Sequence, residues 1–200
     1  MVKILFFNDI IKSMGKIRVW TKQHENVLKE LKSNGRYIAK KEYIIMDLQE
    51  HANIVLEAYN WLVKNSPNAN NKPKDVEFPV WVSFARDTTM ILSEKTIILE
   101  LEIEESLITK INIIKWGMIL NYAYLPENES DENRHRKLLE NYRISDTQAY
   151  MSQFYPQIKR EIIDSWKRLF DFDKDIQKNM SDYYGNIWEI KEEWIKEIIK

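Results

Sequence analysis

The stretch TIILELEI, residues 96–103, decides how the rest of the chain is read. Leu99, Leu101 and Ile103 alternate with Glu100, Glu102 and Glu104. Successive side chains on a strand point to opposite faces, so this period predicts one buried and one charged face. The three glutamates offer a carboxylate ladder for a divalent cation. Like charges crowded on one face repel, however, and a solvated face beside Lys and Arg neighbours is the cheaper reading.

Working downstream, residues 109–121 are apolar almost all round, with Ile113, Ile114, Trp116 and Ile119. They read as a buried helix, or as a strand for part of their length. Pro126 to Asp131 reads as an acidic loop, and Leu138, Leu139 and Tyr142 as a short helix after it. Pro156 suits the first position of a longer helix carrying Ile158, Ile162, Trp166 and Leu169. Residues 171–182 form a polar connection, GNIWEI at 185–190 a final strand, and 191–200 an amphipathic closing helix.

Upstream, PVWVSFA at 79–85 reads as a strand and NSPNANNKPKD at 65–75 as a polar loop. Helical spacing runs from Ile54 to Lys64. Asn34-Gly35 supplies a left-handed stop to a helix bearing Val27, Leu28 and Leu31, which Thr21 would cap. Ile17 to Trp20 reads as the first strand. Residues 1–13 stand apart as an N-terminal extension ahead of a natural-looking start at Met14. Strands dispersed among helices predict a single α+β domain over 14–200, with a mixed or mainly antiparallel sheet of about five strands and helices packed on it.

The chain has 200 residues, a formal net charge of −1 and no cysteine. Zero cysteine excludes disulfides, thiolate metal sites and a cysteine nucleophile. The four glycines, Gly15, Gly35, Gly117 and Gly185, are isolated, which excludes Gly-rich phosphate loops. Balanced charge argues against a dedicated nucleic-acid binder. The apolar run at Ile4–Phe7 is too short for an export signal, and no run approaches a membrane span. These features predict a cytoplasmic protein without membrane association.

Several patches, taken in order, are similar to one family. They are RVWTKQ at 18–23, EAYNWLV at 57–63, VEFPVWV at 76–82, ILELEIEES at 98–106, KWGMILNYAYLPE at 115–127, SWKRLFD at 165–171 and WEIKEEWI at 188–195. From about Ile17 to the C-terminus the chain resembles a family of uncharacterised bacterial and phage proteins known only as a domain of unknown function. The resemblance implies a small intracellular protein and supplies no activity. The family pattern has a histidine after the tryptophan matching Trp116, where this chain has Gly117. It has a Gln-Ala pair before the tryptophan matching Trp188, where this chain reads Tyr184-Gly185-Asn186.

Candidate ligand-binding residues are Trp20, Gln23, Trp81, Ser83 and Glu189. An indole stacks, an amide selects hydrogen-bond partners, and strand-borne tryptophans near polar groups suit a pocket. Trp20, Trp81 and Trp188 also suit a plain aromatic core. An analogy with ADP-ribosyltransferase-like enzymes orders Arg18, Ser83 and Glu189 as an early-strand anchor, a mid-chain hydroxyl and a late carboxylate. Glu189 would then lie on the sheet face opposite Trp188. Asp171, Asp173 and Asp175 start like a calcium loop, but Ile176 and Asp182 break its pattern. His24, His51 and His135 lack zinc spacing. Arg134 to Lys137 with Arg143, Tyr142 and Tyr150 make a small basic group preceded by acidic residues. Two functions remain open. One is a binding protein for a protein partner or a nucleotide-like small molecule, needing no cofactor and acting on a host or rival system. The other is an ADP-ribosyltransferase-like enzyme using NAD. A homodimer through residues 96–103 requires that strand to lie on an edge.

Overall fold

The computed structural model describes residues 15–42, 52–89, 91–171 and 182–200. The readings of residues 1–13, His51, Asp173 and Asp175 lie outside them. In chain order the elements are β1 (Lys16–His24), α1 (Val27–Asn34), β2 (Arg36–Tyr37), α2 (Ala52–Asn65), β3 (Val80–Ser83), β4 (Thr96–Glu104), β5 (Thr109–Asn112), α3 (Ile113–Leu120), α4 (Glu129–Tyr142), α5 (Asp146–Met151), α6 (Pro156–Ser165), β6 (Tyr183–Ile187), β7 (Ile190–Lys191) and β8 (Ile195–Ile199). Six strands form an antiparallel sheet in the order β5-β6-β3-β1-β4-β8, and β2 pairs with β7. The fold is α+β, a single domain.

Alternation along the strands divides the apolar residues between the two faces of the sheet. On one face Val19, Val80, Val82, Leu99 and Leu101 pack with Val27 and Leu31 of α1. On the other, Ile111 joins a cluster drawn from α2, α3, α5 and α6, including Leu62, Trp116, Tyr150, Ile162 and Trp166. Local signals placed several ends. Gly35 sits at φ 69° as the left-handed cap of α1, and Pro156 opens α6. Asn112 accepts from the amides of Ile114 and Lys115, which converts a strand into a helix at that residue.

Several expectations are corrected. Thr21 caps no helix, because β1 continues to His24 in register with β4 over its whole length. The acidic residues at 129–132 form the first turn of α4, where Asn128 caps the helix and carboxylates face its positive end. Ile113 and Ile114 are exposed rather than part of a buried helix. The closing helix is instead a short 3-10 turn, Glu192–Trp194, followed by β8 against β4. That strand pairs with residues 98–101 of β4, so the edge position on which a homodimer through residues 96–103 depended is not present. The charged face of β4 is only partly solvated. Glu100 is 7% exposed, held by Arg18 at 3.0 Å and by the Trp20 indole at 3.3 Å. Glu102 pairs with Lys196 at 2.8 Å. Each of these two carboxylates has a basic partner, and no metal-holding acidic cluster is present among the described residues.

Candidate functional site

The sheet opens where β1 and β3 meet. They share one register pair, Trp20 opposite Ser83, although β1 is nine residues long. Beyond that pair the strands part. The Thr21 hydroxyl donates to the Trp81 carbonyl at 2.7 Å, and Gln23 Nε2 donates to Thr21 Oγ1 at 2.8 Å. Side chains thus bridge the gap that a backbone ladder would otherwise fill. The gap is the floor of a cleft of about 470 Å³. Trp20, Gln23, Trp81 and Ser83 all line it, together with Tyr37, Ala39 and Lys40, Val55 and Tyr59 of α2, Leu120 of α3, Thr89 and Tyr184. Its size falls within the usual range for a small-molecule site, and its lining is mostly apolar with a few convergent polar groups.

The aromatic wall is fixed. Trp81 Nε1 donates to Tyr59 Oη at 2.9 Å, and Tyr59 packs edge-on against Trp81 and against Trp116. Burial pushes the Tyr59 phenol above its ordinary pKa, against the opposing effect of the Trp81 hydrogen bond. Opposite Ser83 on β6 stands Tyr184, whose hydroxyl donates to the Thr88 carbonyl at 2.7 Å. Ser83 Oγ donates to the Ala85 carbonyl at 2.9 Å and is also hydrogen-bonded to Thr89 Oγ1. No histidine or carboxylate stands among the described lining residues, and the Ser83 hydroxyl is hydrogen-bonded to the Ala85 carbonyl and Thr89 rather than to a base among them. The charged groups lining the cleft among the described residues are Lys22 and Lys40. Such a cavity can stack a flat ring, hydrogen-bond an amide or hydroxyl, and favour negative charge.

Glu189 lies elsewhere. β6 ends at Ile187, and Glu189 sits beyond it before β7. Arg36 of β2 holds it at 2.8 Å and Lys191 at 3.7 Å. It lines a separate depression with Trp188 and Trp194, and the Trp188 indole donates to the Asn68 carbonyl at 3.0 Å. Arg18 is paired with Glu100. The ordered triplet Arg18, Ser83 and Glu189 is therefore not assembled, and Trp188 does not join Trp20 and Trp81. Sequence reasoning missed Tyr59, Tyr184, Thr89 and Lys22 as lining residues. Tyr59 lies within one of the patches shared with the family, which was the available signal. Tyr184 becomes visible only through its register opposite Ser83. Gly117 carries no packing constraint, since an added Cβ there would meet nothing within 4 Å.

In the basic group at 134–137 the side chains of Arg134, Arg136 and Lys137 are exposed, while His135 is turned inward. His135 is 3% exposed and lies between two carboxylates, with Nε2 at 2.7 Å from Asp146 and Nδ1 at 3.2 Å from Glu161. Tyr124 stacks on the imidazole at 3.9 Å. Arg134 holds both Asp131 and Glu161, and Arg168 stands 3.7 Å from Asp131. The Glu127 amide, with Tyr124 and Arg134, keeps the Asp131 carboxyl far below the usual range despite the opposing effect of desolvation. Burial pushes the His135 pKa down, but hydrogen bonds to Asp146 and Glu161 override it and the net shift is upward. A raised folded-state pKa stabilises the fold fully below the unfolded histidine value of about 6.5 and ceases to do so as pH rises through the folded value. The thermal midpoint of the wild type is therefore expected to fall as pH is raised above about 6.5, by more than that of His135→Gln. Parallel midpoint curves for the two proteins would refute this role for His135.

Among the described residues no helix is long and apolar enough to cross a membrane. Residues 18–196 match the family model described as Domain of unknown function (DUF3841). This agrees with the family resemblance read from the ordered patches. No curated protein and no solved structure matches the chain.

Proposed function

The chain belongs to the DUF3841 family of domains of unknown function, and from that premise we propose that it binds a nucleotide-like small molecule in the cleft between β1 and β3. One observation carries this reading. Trp20, Gln23, Trp81 and Ser83, drawn from two strands that separate after a single register pair, converge on one cavity. A planar base or nicotinamide ring stacks against Trp20 or Trp81. The Gln23 amide and the Ser83 hydroxyl read its polar edge. The lysines of the lining suit phosphate. The lack of cysteine supports a cytoplasmic setting, and the family resemblance supports a bacterial or phage protein acting on a host or rival system.

A second reading, an ADP-ribosyltransferase-like enzyme using NAD, is favoured by one feature. β1, β3 and β6 are adjacent in the sheet, and each gives the cleft a polar residue: Gln23, Ser83 and Tyr184. That is the early, middle and late order of such enzymes. Against it, Tyr184 stands where a late carboxylate would be needed to stabilise a positive ribosyl centre.

Proton NMR of NAD and of ADP with the purified protein tests both readings. Broadened adenine resonances are the expected result. Unchanged spectra for both compounds would sink the nucleotide reading. Free nicotinamide accumulating over hours would promote the enzyme reading above simple binding.

A further inference from the structure

The cleft reading leaves open which part of a ligand the basic side of the cavity recognises. Lys22 follows Trp20 by two residues on β1, so both side chains leave the same face of the strand. Its ammonium donates to the Ile91 carbonyl at 2.7 Å. That contact anchors the head group with a neutral acceptor, and an ammonium carries three donors. Lys40, also in the lining, differs: it is salt-bridged to Glu30 at 2.7 Å. The side chains best placed to stack a ring, Trp20 and Trp81, line the same cavity as Lys22.

We propose that Lys22 is the specificity-determining residue of this cleft, donating to a phosphate oxygen of the ligand so that a nucleotide is selected over its nucleoside. The inference rests on the cleft reading above. A phosphate oxygen adds a contact in which both partners are charged to an ammonium that the Ile91 carbonyl already holds. The stacking and amide contacts do not distinguish ADP from adenosine, because both present the same base. The carbonyl of Ile91 fixes the ammonium before the phosphate arrives, which lowers the ordering cost of binding.

Calorimetric titration of wild type and Lys22→Gln with ADP and with adenosine tests it. Wild type is expected to prefer ADP. The variant is expected to lose about tenfold in ADP affinity while its adenosine affinity stays unchanged. The wild-type preference should also shrink as salt is raised. Equal loss for ADP and adenosine, or no loss for either, overturns the role of Lys22 and leaves the cleft reading standing. Failure of wild type to bind either compound overturns the cleft reading, and this inference with it. Circular dichroism of the variant confirms its fold, since the Lys22 side chain is not part of either apolar core.

Discussion

Trp166→Ala is expected to destabilise the protein by about 3–5 kcal/mol in denaturant unfolding. The indole is 1% exposed and lies at the centre of the cluster that seats the helices on the sheet. Trp61 meets it edge-on at 5.5 Å, and Tyr150 and Tyr122 stack on it at 5.6 and 6.3 Å. Its Nε1 donates to the Ala123 carbonyl at 2.9 Å, which ties the turn after α6 to the segment after α3. Truncation removes the ring contacts, opens a cavity and leaves that carbonyl without its donor. Trp166→Phe separates these effects. It keeps a ring in the stack and drops the hydrogen bond, so a smaller loss is expected, to which the bond itself contributes about 0.5–1.5 kcal/mol. A loss for Trp166→Ala no larger than an ordinary surface change, about 0.5 kcal/mol, would show that the cluster does not hold the helices.

The strand at 96–104 was legible because Leu99, Leu101 and Ile103 face a core and a period of two is hard to mistake. The closing segment was not. Trp194, Ile195 and Ile198 have spacing that fits a helix, yet the chain forms β8. Pairing with β4 decides the matter: Ile199 stands opposite Ile98 and Ile198 opposite Leu99. β-branched side chains fit that pleated surface, and no local signal announces the partner strand. The shift of register between Glu100 and Leu101 belongs to the same pairing. Thr21 illustrates the opposite error. Its type suits a helix cap, but its hydroxyl is used on the strand, across the gap to Trp81.

The site was legible in part for a related reason. Trp20, Gln23, Trp81 and Ser83 stood out because large aromatic and polar residues on strands need partners. Glu189 did not belong with them, since a carboxylate seeks the nearest cations and Arg36 and Lys191 lie closer on the β2–β7 pair. Tyr184 was hidden because its place in the cleft depends on β6 lying next to β3, an adjacency between segments far apart in the chain. The lining of the cleft follows from which strands are neighbours, and composition carries no record of that.

The same adjacency makes Gly185 a tightly packed backbone position near the cleft. It stands on β6 between Val82 of β3 and Lys110 of β5. A Cβ added there would lie 2.5 Å from Ile108 Cγ2, 2.7 Å from Val82 Cγ2 and 3.3 Å from Phe84 Cζ. Ile and Val methyls are stiff at χ1, so they yield only by moving backbone or leaving their rotamers. Unfolded-state entropy favours alanine over glycine by about 0.4–1 kcal/mol where the conformation allows both. Overpacking acts against this with about 1–3 kcal/mol, so Gly185→Ala is expected to lower stability, and Gly185→Val to lower it further. Displacing β6 also moves Tyr184 and so reshapes the lining of the cleft. Removing the obstacle tests the cause. In an Ile108→Ala background the added cost of Gly185→Ala should shrink, giving a coupling of about 0.5–3 kcal/mol between the two positions. Additive costs would show that Ile108 does not crowd Gly185, and a Gly185→Ala protein as stable as wild type would show that none of the three contacts does.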